Sequence, residues 1–98
     1  MKIKIQSVHF DADVKLLDFI ESKMNKLEQF YDSIIGAEVI LKIDKAENSE
    51  NKVADIKLLV PGIDLFSKRQ AKSFEEAIDQ ASEALERQLK KRLGKEKK

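Results

Sequence analysis

The chain has no cysteine and no tryptophan, one proline, one histidine and three glycines. Without cysteine there is no disulfide, no thiolate nucleophile and no thiolate metal ligand, a pattern that fits a reducing compartment. A lone histidine, His9, is poorly equipped for catalysis: no Ser-His-Asp or Cys-His pattern surrounds it, so it reads as a strand-to-helix junction residue. There is no glycine-rich phosphate loop. No apolar run approaches the ~20 residues that span a bilayer, and the N-terminus lacks the ~7–15-residue apolar stretch of a signal peptide. A soluble cytoplasmic protein is therefore expected, with no membrane partner. So little glycine and proline also argues against long disordered linkers. Aromatic residues are few, five Phe and one Tyr. Only Phe10, Phe30 and Phe66 are left free to stack on bases, which disfavours a single-strand reader of the stacking kind.

What the chain has is charge, unevenly placed. Nineteen Lys and Arg face eighteen Asp and Glu, for a net +1. The segment Glu86-Arg87-Gln88-Leu89-Lys90-Lys91-Arg92-Leu93-Gly94-Lys95-Glu96-Lys97-Lys98 holds seven of those bases against two acids, a local +5. The preceding 85 residues carry twelve bases and sixteen acids, a net of −4. An asymmetry this steep suggests an electrostatic handle for a polyanion.

At 98 residues the chain can bury one two-layer core. Lys2 to Val8 alternates, with Ile3 and Ile5 opposite Lys2, Lys4 and Gln6, as a half-buried strand does. Asp13 is the preferred N-cap, ahead of Asp11, for a helix from Val14 to about Tyr31. There Leu17, Ile20, Met24, Leu27 and Tyr31 share a stripe widened by Leu16 and Phe19. Asp32-Ser33 and Gly36 are read as its terminators. A second strand over Ala37 to Asp44 groups Val39, Leu41 and Ile43. After the polar loop Lys45 to Asn51, a third strand runs to Val60 with Ala54, Ile56 and Leu58 on the same face. Pro61-Gly62 marks a turn, and Ile63 to Arg69 forms a fourth strand with Leu65 and Ser67 inward. Ser73 and Glu76 make a capping box for a second helix, whose Phe74, Ile78, Ala81, Leu85 and Leu89 share one face before it frays near Gly94.

The expected fold is α+β, a two-layer β-α-β-β-β-α with both helices on one face of a four-stranded mixed sheet in the order 1-2-3-4. The first two strands run parallel through a right-handed crossover and the rest form antiparallel hairpins. Residues 1–93 are expected to be one domain and 94–98 a frayed basic tail.

Asp44, Glu47 and Glu50 lack the spacing of a calcium loop and read as solvated; no metal or cofactor is expected. The basic residues remain. Lys23 and Lys26 share a surface on the first helix, and Arg87, Lys90 and Lys91 lie at i, i+3 and i+4 on the second. Antiparallel or angled helices on one sheet face could bring the two groups near each other. The C-terminal cluster exceeds what the helix dipole needs. Lys4, Lys42, Lys57 and Lys68 should form a fainter cluster on the open sheet face. Phosphate contacts of this kind require no base-specific groups, so a folded RNA recognised by shape and backbone is the expected ligand.

Three features together resemble a known family. They are the β-α-β-β-β-α order, the segment Lys23-Met-Asn-Lys26-Leu27-Glu28-Gln29-Phe30-Tyr31-Asp32, and Ala77-Ile78-Asp79 continuing to Leu85-Glu86-Arg87-Gln88-Leu89-Lys90-Lys91. With them the chain, from Met1 to about Arg92, is similar to the bacterial ribosome hibernation-promoting factors, which include the ribosome-associated inhibitor also called protein Y. The resemblance implies a stress-response protein that binds the small ribosomal subunit and its rRNA between head and body. There it would occupy ground needed by messenger RNA and by transfer RNA in the A and P sites. It further implies RNA contacts from Lys23 and Lys26 on the first helix and Arg87 and Lys91 on the second, with Lys90 and Arg92 as additions of this chain. No small-molecule substrate is implied, and a monomer is expected when free.

Two departures stand out. Where the family often has Asp, an apolar residue and Tyr, this chain has Ser73, Phe74 and Glu75, so a contact from that tyrosine is missing and Glu75 repels phosphate. Ending at Lys98, the chain reads as the short type, without the additional C-terminal domain by which some members pair ribosomes. Two other readings compete: a protein-interaction module using the outer sheet face around Ile40, Leu59 and Phe66, and a double-stranded RNA reader, whose α-β-β-β-α order the last five elements share.

Overall fold

A computed structural model of the chain describes residues 1–44 and 49–93. Its elements run β1 (Lys2–Ser7), α1 (Val14–Phe30), β2 (Gly36–Ile43), β3 (Lys52–Val60), β4 (Ile63–Ala71) and α2 (Phe74–Leu93). The four strands form one sheet in the order β1-β2-β3-β4, with β1 and β2 parallel and the other neighbours antiparallel. This is the α+β arrangement expected from the periodicities. Glu47 and residues 94–98 lie outside the described residues.

Local signals explain the element boundaries. The Leu16 backbone N–H donates to Asp13 Oδ1 at 2.9 Å, so Asp13 is the N-cap of α1. The Glu76 backbone N–H donates to Ser73 Oγ at 3.1 Å and starts α2 in the same way. Gly62, at φ +86°, follows Pro61 in the turn that pairs Val60 with Ile63, the proline and glycine positions of a type II turn. Gly36 differs from its expected role. It opens β2 rather than ending α1, which closes at Tyr31, where the backbone N–H donates to Leu27 O. A Cβ on Gly36 would stand 2.9 Å from the Lys2 carbonyl oxygen, so close approach of β1 explains the glycine.

One sheet face carries the core. Val39, Leu41, Ala54, Ile56, Leu58 and Leu65 point into it, beneath Leu16, Ile20, Met24 and Leu27 of α1 and Ile78, Ala81, Leu85 and Leu89 of α2. The α1 stripe runs through Leu16 rather than the half-buried Leu17. α2 lies over β3 and β4, while α1 packs on the β1 side and against α2. Ile43 departs from the strand pattern: it is 48% exposed, at the end of β2 and past the last β1 pair, Ser7 with Leu41.

Strand directions set the helix directions. β4 runs the same way as β1, so each following helix returns in the same sense and α1 and α2 lie side by side, codirectional. The sequence left antiparallel helices open, and the sheet order excludes them.

Candidate nucleic-acid interface

A groove separates the two helices. Its α1 wall is Lys23, Lys26, Leu27 and Phe30, and its α2 wall is Asp79, Ser82, Glu83 and Glu86. The numbers rise together along both walls, as codirectional helices require. Lys23 Nζ reaches across to Asp79 Oδ1 at 2.5 Å and sits 5.5 Å from the centre of the Phe19 ring. The carboxylate and the aromatic ring each favour the cation. Lys26 is exposed and makes no ion pair with any described residue, nor do Glu83 and Glu86.

α2 continues for about two turns beyond Glu86, the groove residue level with Phe30 near the end of α1. Those turns carry Arg87, Lys90, Lys91 and Arg92, all exposed. Helical spacing distributes them around the rod. Lys90 follows Glu83 and Glu86 on the flank nearest α1. Arg87 faces outward, one turn beyond Glu83. Lys91 follows Ala84 and Gln88 on the β4 side, where Gln88 Nε2 donates to the Phe66 carbonyl at 2.8 Å. Arg92 continues the Leu85-Leu89 line, exposed because the stripe has outrun the sheet. The four cations thus wrap the end of one helix, and three of them sit in the last turn, where the macrodipole favours positive charge.

The structure therefore divides the single convergent patch expected from the sequence. Lys23 and Lys26 belong to the groove, the α2 cations to a projecting end, and Asp79, Glu83 and Glu86 stand between them. The acidic wall was missed, although positions 79, 83 and 86 follow the i, i+4, i+7 rule for one helix flank.

The fainter cluster on the open sheet face is also corrected. Lys4, Lys57 and Phe66 share a row with Glu38, and Ile40 and Lys68 share the next with Gln6 and Asp55. Lys57 Nζ lies 3.5 Å from Glu38 Oε1. These lysines point outward as expected, but acids alternate with them. The same rows break up the apolar surface around Ile40, Leu59 and Phe66, since Asp55 and Lys57 lie between Ile40 and Phe66.

The remaining candidates are placed as follows. Phe10 is not free to stack on a base, because its ring stacks on Phe74 with centroids 5.0 Å apart and 9° between planes. Phe30 and Phe66 stay exposed. His9 sits between β1 and α1 at φ +65°, exposed, in a conformation histidine adopts more readily than most residues. Asp44 Oδ2 accepts from Gln70 Nε2 at 3.2 Å, and the same amide donates to the Glu50 carbonyl at 2.6 Å, which ties both ends of the β2-β3 loop to β4.

Comparison with known proteins places this arrangement. Residues 3–97 match the family described as Sigma 54 modulation protein / S30EA ribosomal protein. A ribosome hibernation promoting factor from Klebsiella oxytoca is 31% identical over 95 residues, covering 97% of this chain and 96% of that protein. The N-terminal domain of Thermus thermophilus Protein Y superposes with a TM-score of 0.78 at 25% identity, over 93% of this chain and 98% of that one. A ribosomal subunit interface protein from Coxiella burnetii shares the fold at TM-score 0.84 and 23% identity, over 97% and 100% of the two chains. With β1 included in the matched span and both helices in place, the chain belongs to the Sigma 54 modulation protein / S30EA ribosomal protein family.

Proposed function

We propose that this chain is a ribosome hibernation factor, a non-enzymatic inhibitor of translation. It binds the small ribosomal subunit in the channel used by messenger and transfer RNA and acts by steric occlusion. The observation that carries this reading is the projecting end of α2. Arg87, Lys90, Lys91 and Arg92 are exposed and have no acidic partner among the described residues, in a chain whose relatives are named for ribosome hibernation. Cations so placed meet phosphates without desolvating a buried charge, and each neutralised phosphate releases counterions. Lys26 adds a second contact point on α1. Lys23 joins them only by exchanging Asp79 for a phosphate. Residues 1–93 form the ribosome-binding unit of a cytoplasmic protein that is monomeric when free.

Binding of messenger and transfer RNA to purified small subunits tests the occlusion. With the protein at saturation, both ligands should be excluded, and excess messenger and transfer RNA should in turn displace the protein. Simultaneous occupancy by all three would eliminate steric occlusion.

A further inference from the structure

We infer that Glu83 and Glu86 are specificity-determining residues of the RNA interface, which reject a continuous phosphate backbone such as that of an RNA duplex. The inference rests on the ribosome-binding reading above and adds the means by which other RNA is refused. Lys26 stands on one wall of the interhelical groove, and Arg87 and Lys90 follow directly beyond the other. Glu83 and Glu86 line that second wall, between the two cationic points.

Each acid sits one turn before a cation, Glu83 before Arg87 and Glu86 before Lys90. Neighbours at this spacing have Cβ atoms ~5–6 Å apart, within the ~8 Å screening length at physiological salt. A backbone running unbroken from Lys26 to the end of α2 therefore carries its phosphates across two carboxylates. An RNA surface that offers separated phosphates to the two cationic points avoids most of that repulsion. The first acid of the wall is engaged differently, since Asp79 holds Lys23. Glu83 and Glu86 make no hydrogen bond or ion pair with a described residue, so their charge is not consumed by the fold.

The test compares the double variant Glu83→Gln/Glu86→Gln with the unaltered protein on two ligands at one salt concentration, purified small subunits and a ~16-base-pair RNA duplex. Duplex affinity should rise by about tenfold or more, and subunit affinity by less than about threefold. A second variant, Asp18→Asn/Glu21→Gln, removes the same net charge from exposed positions on the flank of α1 turned away from α2. It should change either affinity by less than about threefold. Unchanged duplex binding in the groove variant, equal gains on both ligands, or an equal gain in the α1 variant would each overturn the inference. Failure of the unaltered protein to bind subunits would instead defeat the ribosome-binding reading, and the duplex comparison would still decide whether these acids repel RNA. Circular dichroism confirms that both variants remain folded.

Discussion

Arg87→Glu combined with Lys91→Glu should abolish co-sedimentation with small ribosomal subunits, a loss of at least about a hundredfold in affinity. The two proposed phosphate contacts become repulsive ones on the exposed side of the last two turns of α2. Both positions are exposed and neither has an ion-pair partner among the described residues, so packing is left unchanged. The cost to the fold comes from placing anions near the negative end of the helix and from setting residue 87 one turn after Glu83. Together these are worth about 1 kcal/mol. Thermal unfolding should therefore move by a few degrees while binding disappears. Full binding by the folded double variant would remove the grip assigned to the end of α2.

Leu85→Ala should do the reverse. Leu85 is fully buried on α2, in the cluster joining both helices to the sheet. Truncating a buried leucine removes its transfer free energy and leaves a cavity, a loss of about 3–4 kcal/mol. A domain of this size has about 5–10 kcal/mol in total, so the midpoint of thermal unfolding should fall by about 15–25 °C. Below that midpoint the cations of α2 remain attached to a formed helix, and ribosome affinity should stay within about threefold of normal. A midpoint change under about 5 °C would contradict the placement of Leu85 at the centre of the core.

Separating the two effects is possible because the residues for folding and those proposed for binding occupy different faces of one helix. The apolar series Phe74, Ile78, Ala81, Leu85 and Leu89 is readable as a period of 3.6, and its charged complement falls outside it. For the same reason element order and both N-caps were legible, and sheet order followed from the crossover and hairpin connections. Each depends on local chemistry at Asp13, Ser73 or Pro61-Gly62, or on alternation within one strand. Gly36 and Ile43 were misread because their surroundings are set elsewhere. The first is dictated by the Lys2 carbonyl of a strand far away in the chain, the second by where β1 ends alongside β2.

The charged surface was only partly legible, and for a related reason. Counting bases identified the end of α2, since four of them crowd into its last two turns. Whether these met Lys23 and Lys26 depended on how two helices lie against each other, which no single-helix pattern encodes. Codirectional packing aligned Lys23 with Asp79 and set Glu83 and Glu86 across from Lys26. On the open sheet face, outward lysines were read one strand at a time. The strand register then interleaved them with Glu38 and Asp55.

The most direct test of phosphate-held ribosome binding is co-sedimentation of the unaltered protein with purified small subunits at two salt concentrations. If about four to six phosphates are neutralised, affinity should drop by about two decades or more between ~50 and ~200 mM salt. No association at the lower salt, or association equally tight at both, would contradict it.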